Sequence, residues 1–198
     1  MIGIARRRIP TIAEESSDGR GIIDSYGYVD LGLPSGLLWA TCNVGATVET
    51  DCGEYYKWGS VIPYPDGEYD AMNSGTLPLT EDAAHVNMGG DWRMPTRDDA
   101  QELIDNTVGV KTTINGITGC KFSKTINGVE RYIFIPFGGR NNDGNKSFMA
   151  IWLSKPYGYT KADKLYCIIN NNYVPVINPS YHSGKMDGMN VRGVHQRS

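Results

Sequence analysis

The chain between residues 152 and 194 is built from short apolar segments that turn-forming residues separate. The intervening clusters are polar and rich in Asn, Ser, Tyr and His. Short strands joined by turns give this pattern, with the turn residues and neighbouring side chains in water. We therefore predict a C-terminal set of strands that carries a display surface, with strand segments at residues 165–169, 173–177 and 189–194.

The composition is that of a chain with one domain and a real core. Of the 198 residues 40% are hydrophobic, and the abundance of Gly (24) and Tyr (12) favours turns and short strands over long helices. The formal net charge is −3 with both signs scattered. We expect no nucleic-acid partner, since such a protein needs a basic face. No run of 18 apolar residues occurs, so we also expect no membrane insertion.

The N-terminal residues predict an arm. Residues 1–25 carry three consecutive arginines and then an acidic stretch, with little apolar periodicity. We predict a flexible arm at 1–25 and one domain at 26–198. In the alternative, the arm orders against a partner or another copy, which would give a homo-oligomer or attachment to a virion. The arm lacks the apolar stretch of a secretory signal, so we expect cytoplasmic synthesis, or a cell-surface location if a signal has been removed.

A hairpin is expected at the start of the domain. Residues 28–33 alternate between apolar and polar types, residues 34–36 form a turn, and residues 37–44 form a second strand around Trp39. A compact aromatic segment follows at residues 54–59, and residues 61–76 contain several Pro and Gly residues that predict irregular structure.

Two helices are expected next. Thr80 is placed to cap a short helix at residues 80–86. A second helix at residues 96–106 begins with Thr96 as its cap, and Asp99 completes a pair typical of a capping box. Its spacing predicts one apolar face that docks on a sheet, formed by Ala100, Leu103, Ile104 and Val108.

Two Asn-Gly pairs predict tight turns downstream of the second helix. They lie at Asn115-Gly116 and Asn127-Gly128. Strands are expected on both sides of the second turn, at residues 119–123 and 130–135.

The cysteines and tryptophans favour a structural interpretation. Four widely spaced cysteines lack the paired spacing of a zinc site, so we expect buried free thiols, with disulfides left open (Cys42, Cys52, Cys120 and Cys167). Each tryptophan is expected in the core, although exposed indoles could also stack on sugars (Trp39, Trp58, Trp92 and Trp152).

Catalytic constellations are absent from the sequence. Its three histidines belong to no recognisable motif, and Asp98 and Asp99 are explained by the first turn of a helix. We therefore expect a protein that is not an enzyme and that uses no cofactor and no metal.

Five segments carry a resemblance to a known family when taken in order. They are residues 28–46 (YVDLGLPSGLLWATCNVGA), 53–59 (GEYYKWG), 81–96 (EDAAHVNMGGDWRMPT), 132–138 (YIFIPFG) and 188–194 (GMNVRGV). The set resembles the "major paralogous domain" proteins of gut and rumen bacteria, which have a C-type-lectin-like fold. The resemblance implies an α+β domain in which two helices pack against short, mostly antiparallel strands. It also implies a ligand site on the loops and strands of the C-terminal half.

A narrower resemblance is to the variable proteins of diversity-generating retroelements, many of them encoded by phages or prophages. Those proteins share the fold and end in a mutagenised segment before the last constant strand, with Asn codons as frequent templates. Asn, Tyr, Ile, Ser, His and Asp are all reachable from an Asn codon, whereas Lys185 and Met186 are not. The resemblance implies a receptor-recognition protein that binds a protein or glycan on a cell surface.

The tyrosines of the C-terminal segment support a recognition role, because tyrosine offers a large contact area with few rotatable bonds, as in antibody paratopes. They are Tyr157, Tyr159, Tyr173 and Tyr181. The alternative is that some of these tyrosines pack on their own sheet. We predict that recognition is confined to residues 157–159 and 171–187. The predicted ligand-binding residues are Tyr157, Tyr159, Asn171, Tyr173, Ile177, Asn178, Tyr181, His182 and Asp187.

The sequence lacks motifs that two related groups of proteins use for binding calcium or for catalysis. The calcium-binding tripeptides Glu-Pro-Asn and Trp-Asn-Asp of sugar-binding C-type lectins are missing, which argues against calcium-dependent sugar binding. Formylglycine-generating oxidases suggest an enzyme alternative, but they use paired C-terminal cysteines, and Cys120 is far from Cys167 in the sequence. A structural cell-surface protein is the third interpretation.

Overall fold

The computed structural model describes residues 16–69, 73–141, 143–169 and 175–197. Within these residues the chain forms mixed α+β structure with two α-helices, α1 (Ala83–Met88) and α2 (Arg97–Asn106). The strands are β1 (Arg20–Ile23), β2 (Tyr26–Val29), β3 (Leu37–Asn43), β4 (Tyr55–Tyr56), β5 (Val108–Ile114), β6 (Ile117–Ile126), β7 (Val129–Pro136), β8 (Phe148–Tyr157), β9 (Lys161–Ile169), β10 (Pro175–Gly184), β11 (Met189–Asn190) and β12 (Arg192–Gln196).

The strands form three sheets. Their orders are β1-β2-β3-β12, β10-β9-β8-β11-β4 and β5-β6-β7. Among the described pairs only β8 and β11 run parallel, and the rest are antiparallel. The predicted class, α+β with two helices and mostly antiparallel strands, is therefore confirmed.

The first sheet joins the beginning of the domain to its end. The predicted hairpin is formed by β2 and β3 with a turn at Pro34-Ser35, but its first strand ends at Val29, so residues 30–33 are not strand as predicted. Strand β12 pairs with the other edge of β3. Strand β1 also belongs to this sheet, so the sheet begins before the boundary predicted at residue 26. Most of the predicted arm, residues 1–15, lies outside the described residues.

Helix α2 has the predicted capping box. The Thr96 hydroxyl accepts a hydrogen bond from the Asp99 amide (3.1 Å), and the Asp99 carboxylate accepts one from the Thr96 amide (2.7 Å). Arg93 donates to the same carboxylate over 2.6 Å. Burial acts to raise the pKa of Asp99, but the bonds from Arg93 and Thr96 lower it on balance. The prediction for Val108 is wrong: this residue begins β5 and is 65% exposed, because the helix has ended two residues earlier.

Helix α1 begins later than predicted. Thr80 lies within a short 3-10 helix (Leu79–Glu81), and the cap of α1 is Asp82. The buried Asp82 carboxylate accepts hydrogen bonds from the amides of Ala84 (2.9 Å), His85 (3.0 Å) and Met94 (2.9 Å). It therefore also ties the helix to the segment before α2, which Thr80 could not do. Burial raises the pKa of Asp82 despite these donors.

Both Asn-Gly pairs form the predicted turns. Asn115 and Asn127 have φ angles of 49° and 51°, in the left-handed region that Asn tolerates well. The turns join β5 to β6 and β6 to β7, which pair in continuous register.

The core lies between the sheets and helices, and all four tryptophans are buried in it, as predicted. The indole N–H of Trp58 donates to the Leu153 carbonyl (2.8 Å), and that of Trp152 donates to the Tyr56 carbonyl (2.7 Å). Ala100 and Leu103 of α2 pack into the cluster that contains Trp39.

All four cysteines are free. Cys120 and Cys167 are buried as expected, whereas Cys42 and Cys52 are only partly buried, so the prediction of buried thiols is wrong for those two. Neither helix of the described chain is long and apolar enough to cross a membrane.

Candidate functional site

The candidate site lies on β9 and β10, at one edge of the five-stranded sheet. Residues directly opposite each other on two paired strands point to the same face of the sheet. Asn178 is opposite Tyr166 and Tyr181 is opposite Lys164, with an irregularity of the register between Asn178 and Tyr181. His182 is opposite Asp163 and therefore belongs to the other face. The two faces differ in chemistry.

One face, here called the tyrosine face, consists of Phe148, Lys164, Tyr166, Asn178 and Tyr181. The ring centroid of Tyr166 lies 5.3 Å from that of Phe148 and 5.0 Å from that of Tyr181, and the rings are inclined to one another. The Lys164 ammonium lies 4.6 Å from the centre of the Tyr166 ring. Tyr181 is 45% exposed, so this row of rings is open to solvent at one end.

The lysine at the centre of this face is held by short contacts. Lys164 Nζ donates to the Ser183 hydroxyl over 2.8 Å. Burial lowers the pKa of Lys164 to about 8; the carboxylate of Asp187 acts to raise it, and Arg140 acts to lower it further. Burial also raises the pKa of Tyr166. The face therefore carries an ammonium group that loses its proton more readily than an ordinary lysine.

A charged pair extends the tyrosine face. Arg140 Nη1 lies 3.6 Å from Asp187 Oδ2. Two hydrogen bonds hold the segments that carry this pair together, from the Asn141 amide to the Gly188 carbonyl (2.7 Å) and from the Gly188 amide to Asn141 Oδ1 (2.6 Å). The loop after β7 therefore contacts the segment that carries Asp187 and places Arg140 beside its carboxylate.

The opposite face, here called the histidine face, consists of Tyr157, Asp163 and His182. The Tyr157 and His182 rings stack with centroids 3.6 Å apart and an angle of 9° between their planes. His182 Nδ1 lies 2.8 Å from Oδ1 of Asp163, which is buried. The sequence predicted His182 in a loop as a ligand contact, but the structure places it within a strand, where one ring face is covered by Tyr157.

The remaining predicted site residues are spread over the hairpin. Tyr159 lies in the β8–β9 turn and is 58% exposed. Ile177 belongs to β10, with its backbone opposite Cys167. Asn171 and Tyr173 lie outside the described residues. The structure therefore brings Asn178, Tyr181 and Asp187 toward one surface and places Tyr157 and His182 together on the other.

Part of the predicted recognition segment is framework. Lys185 is fully buried, its ammonium donates to the Asn73 carbonyl, and it lies 4.6 Å from the centre of the Trp58 ring. Ser183 is buried as well. Residues 183–185 therefore fix the hairpin to the rest of the domain and do not belong to an exposed recognition surface.

Sequence reasoning missed Arg140, Phe148, Lys164 and Tyr166. A signal for two of them was present, because Lys164 and Tyr166 alternate with Leu165 and Cys167, which is typical of a strand with one buried face. Arg140 reaches the site through a contact distant in sequence, which no local pattern reveals.

No group of three or more His, Cys, Asp and Glu side chains within the described ranges is arranged to hold a metal ion. Comparison with family models, curated proteins and solved structures gives no match to this chain.

Proposed function

We propose that the chain is a non-enzymatic binding domain with a C-type-lectin-like fold, and that the tyrosine face contacts a protein or glycan on a cell surface. The observation that carries this proposal is the row formed by Phe148, Tyr166 and Tyr181 beside the ammonium of Lys164. Aromatic rings with polar tips bind proteins and sugars through large contacts of low conformational cost.

The topology supports the fold assignment. Two helices pack beside sheets, and the strands that carry the tyrosine face come from the C-terminal half of the chain. This is the location that the family resemblance implies for a ligand site. The strands after the hairpin, β11 and β12, pair with β4 and β3, so the segment that follows the tyrosine face belongs to the two larger sheets.

The chemistry of the face favours a ligand with both apolar and anionic groups. Tyr166 and Tyr181 supply rings and hydroxyls, while Lys164 and Arg140 supply positive charge. A carboxylate or sulfate on a peptide or glycan would find a charged hydrogen-bond donor here.

The binding test compares the two faces of the hairpin. The full chain is screened against a glycan array and against intact gut-bacterial cells, and any binding is then measured for two variants. Asn178→Ala with Tyr181→Ala alters the tyrosine face, and Tyr157→Ala, at an exposed ring, is the control on the histidine face. We expect binding to fall about tenfold or more in the first variant only, as for a contact centred on one aromatic anchor.

Both variants should retain the fold, which thermal melts check. Loss of binding only in the control variant would place the ligand on the histidine face. Failure of the native chain to bind any glycan or cell would favour a structural surface protein instead.

We further propose that the hairpin is the diversified segment of a retroelement-encoded variable protein, of the kind that phages or prophages carry. Asn178 and Tyr181 are both reachable from an Asn codon and both lie on the tyrosine face. Lys185, which is not reachable, is buried framework. The test is to sequence the neighbouring DNA for a near-copy of the coding 3′ end and a reverse transcriptase; absence of both would refute this origin.

One observation favours a second candidate function, an oxidase of the formylglycine-generating type. Cys120 and Cys167 are far apart in sequence, yet the structure brings their thiols into hydrogen-bonding contact, and this contact raises the pKa of Cys120 and lowers that of Cys167. Both thiols are fully buried, so a substrate would reach them only after the core opened. A copper- or thiol-dependent oxidation assay on cysteine-containing peptides separates the two functions, since a binding domain gives no turnover.

A further inference from the structure

The tyrosine face contains an amine whose close contacts are uncharged. Lys164 Nζ donates to the Ser183 hydroxyl over 2.8 Å and lies 4.6 Å from the centre of the Tyr166 ring. The Asp187 carboxylate acts on the ammonium from farther away, and Arg140, whose Nη1 lies 3.6 Å from that carboxylate, acts against it. The charged form of this lysine is therefore less stabilised than that of a lysine paired directly with an acid.

These surroundings favour the neutral amine. An ammonium group releases its proton more readily when it loses hydration or lies near another cation, and Lys164 is half-buried and close enough to Arg140 to be affected by its charge. The pKa of Lys164 falls to about 8, with burial as the largest cause. At pH 8 about half of these amines carry no proton, against less than about 1% for an ordinary lysine. A neutral lysine amine is a nucleophile toward carbonyl carbon.

The neighbouring side chains define the carbonyl compound that fits this amine. Tyr181 is exposed beside the Tyr166 ring, so the aromatic row has an open end against which a flat ring can pack. The exposed guanidinium of Arg140 can donate to an anionic group. We propose that Lys164 is a covalent modification site, at which the amine forms an imine with an aromatic aldehyde that bears a carboxylate. The site goes beyond the proposed recognition of a cell surface and does not depend on it.

The reaction needs no oxidant and no reductant. The lone pair of Lys164 Nζ attacks the aldehyde carbon, and the electron pair of the C=O π bond moves to the oxygen, which takes up a proton as the nitrogen releases one. The resulting carbinolamine loses its hydroxyl group, and the remaining hydrogen on nitrogen leaves as a proton, so that water and a C=N bond are formed. One amine and one aldehyde thus give one imine and one water molecule.

Lys161 provides a matched control on the same strand. It lies three residues before Lys164 in β9 and is exposed. Its backbone is opposite Tyr157, so it belongs to the side of the hairpin that carries the histidine face. Because Lys161 is the more accessible amine, access alone would make it the faster of the two to react. A preference for Lys164 therefore reports its surroundings.

The first test measures the modification rate of each lysine in the full-length chain. The protein is incubated at pH 8 with para-formylbenzoate and cyanoborohydride, which reduces the imine to a stable secondary amine, and digests are quantified by peptide mass spectrometry. We expect Lys164 to react about tenfold faster than Lys161, because its larger neutral fraction outweighs its smaller exposure. A rate at Lys164 equal to or below that at Lys161 would overturn the proposal.

A second arm tests the charge of the aldehyde. The cationic para-formyl-trimethylanilinium replaces para-formylbenzoate, and the ratio of the two rates is compared between Lys164 and Lys161. We expect the preference for the carboxylate to be about threefold larger at Lys164 and to shrink in Arg140→Met, whereas Arg140→Lys should retain most of it. An equal preference at both lysines would overturn the assignment to carboxylate-bearing aldehydes.

A third arm tests the aromatic ring. Succinic semialdehyde, which has a carboxylate but no ring, should show a smaller preference for Lys164 over Lys161 than para-formylbenzoate does. Tyr181→Ala should reduce the preference for the aromatic compound and leave that for the aliphatic one unchanged. Equal preferences for the two aldehydes in the native chain would overturn the assignment to aromatic compounds. Circular dichroism melts check the fold of each variant, and the comparisons within the native chain need no substitution.

Discussion

The tyrosine face and the strands that follow it are close in sequence but use polar side chains in opposite ways. On the tyrosine face the polar groups contact other side chains, as in the pairs of Lys164 with Ser183 and Arg140 with Asp187. In β11 and β12 they contact the main chain of distant segments. Asn190 donates to the Glu54 carbonyl (3.1 Å), and the buried Arg192 donates to three carbonyl oxygens and one side chain.

The difference teaches which positions tolerate change. A backbone carbonyl is present whatever residue carries it, so a buried donor that satisfies it cannot be lost without leaving that carbonyl unpaired. A contact between two partly exposed side chains, such as that of Arg140 with Asp187, can be replaced, because water satisfies what remains. We therefore expect framework substitutions to affect stability and tyrosine-face substitutions to affect binding.

Arg192→Met should have the largest effect. The substitution leaves Asn43 Oδ1 and the carbonyls of Ala40, Thr41 and Phe134 without their donor inside the core. We expect the free energy of unfolding to fall by about 3–5 kcal/mol, which urea denaturation measures. Burial lowers the pKa of Arg192 to about 10, and part of this loss is offset because the variant no longer buries a charge. A loss below about 1 kcal/mol would mean that the hydrogen bonds of Arg192 do not hold the framework strands together.

Lys164→Met should have a smaller effect of opposite sign. The pKa of Lys164 falls from its ordinary 10.5 to about 8 in the folded chain. Between these values the unfolded chain binds the proton and the folded chain does not, so the lysine makes stability rise with pH in this window. The variant should lack this contribution and should be more stable than the native chain below pH 8.

Urea denaturation of the native chain and of Lys164→Met at several pH values between 7 and 10.5 tests this expectation. The quantity compared is the difference between their free energies of unfolding at each pH. A difference that does not change across this window would mean that the lysine is not held in a desolvated position. The same variant should weaken binding of an anionic ligand to the tyrosine face.

The aromatic row predicts a measurable coupling. Tyr166→Ala and Tyr181→Ala should each destabilise the chain less than Arg192→Met does, because both rings are partly exposed. A double-mutant cycle should give a coupling of about 0.5–1.5 kcal/mol for rings in edge contact. A coupling near zero would show that the rings act independently in solution.

Arg140→Met should have the smallest effect on stability. Its side chain is 53% exposed and pairs with the partly exposed Asp187, and such surface pairs contribute about 0–1 kcal/mol. It is the control for Arg192→Met, since the same substitution is made at an exposed and a buried arginine. A loss as large as that of Arg192→Met would contradict the comparison.

The features predicted well from sequence are those with local causes. The capping box of Thr96 and Asp99 depends on residues three apart, and the turns at Asn115 and Asn127 depend on a single pair each. The burial of tryptophan follows from its size and apolar surface. The cap at Asp82 was missed because its third donor, the Met94 amide, comes from a segment 12 residues away.

The two-faced hairpin was missed for a different reason. Residues 178–188 lie between two predicted strands, so His182 was expected in a polar loop, and a loop does not fix the direction of its side chains. The structure continues β10 through this point with an irregular register, so the adjacent residues Tyr181 and His182 point to opposite faces. The contact of Cys120 with Cys167 joins two separate sheets, and no local sequence pattern predicts such a contact.

The position of Arg192 also bears on how the chain is made. Strand β3 is synthesised about 150 residues before β12, since the bond from Arg192 to Asn43 spans 149 positions. Until β12 has left the ribosome, one edge of β3 is unpaired and several carbonyls of β3 and β7 lack their donor. Unpaired strand edges promote association between chains. A nascent chain that lacks β12 therefore exposes this edge of β3, and we expect it to associate with other chains more readily than the completed protein does.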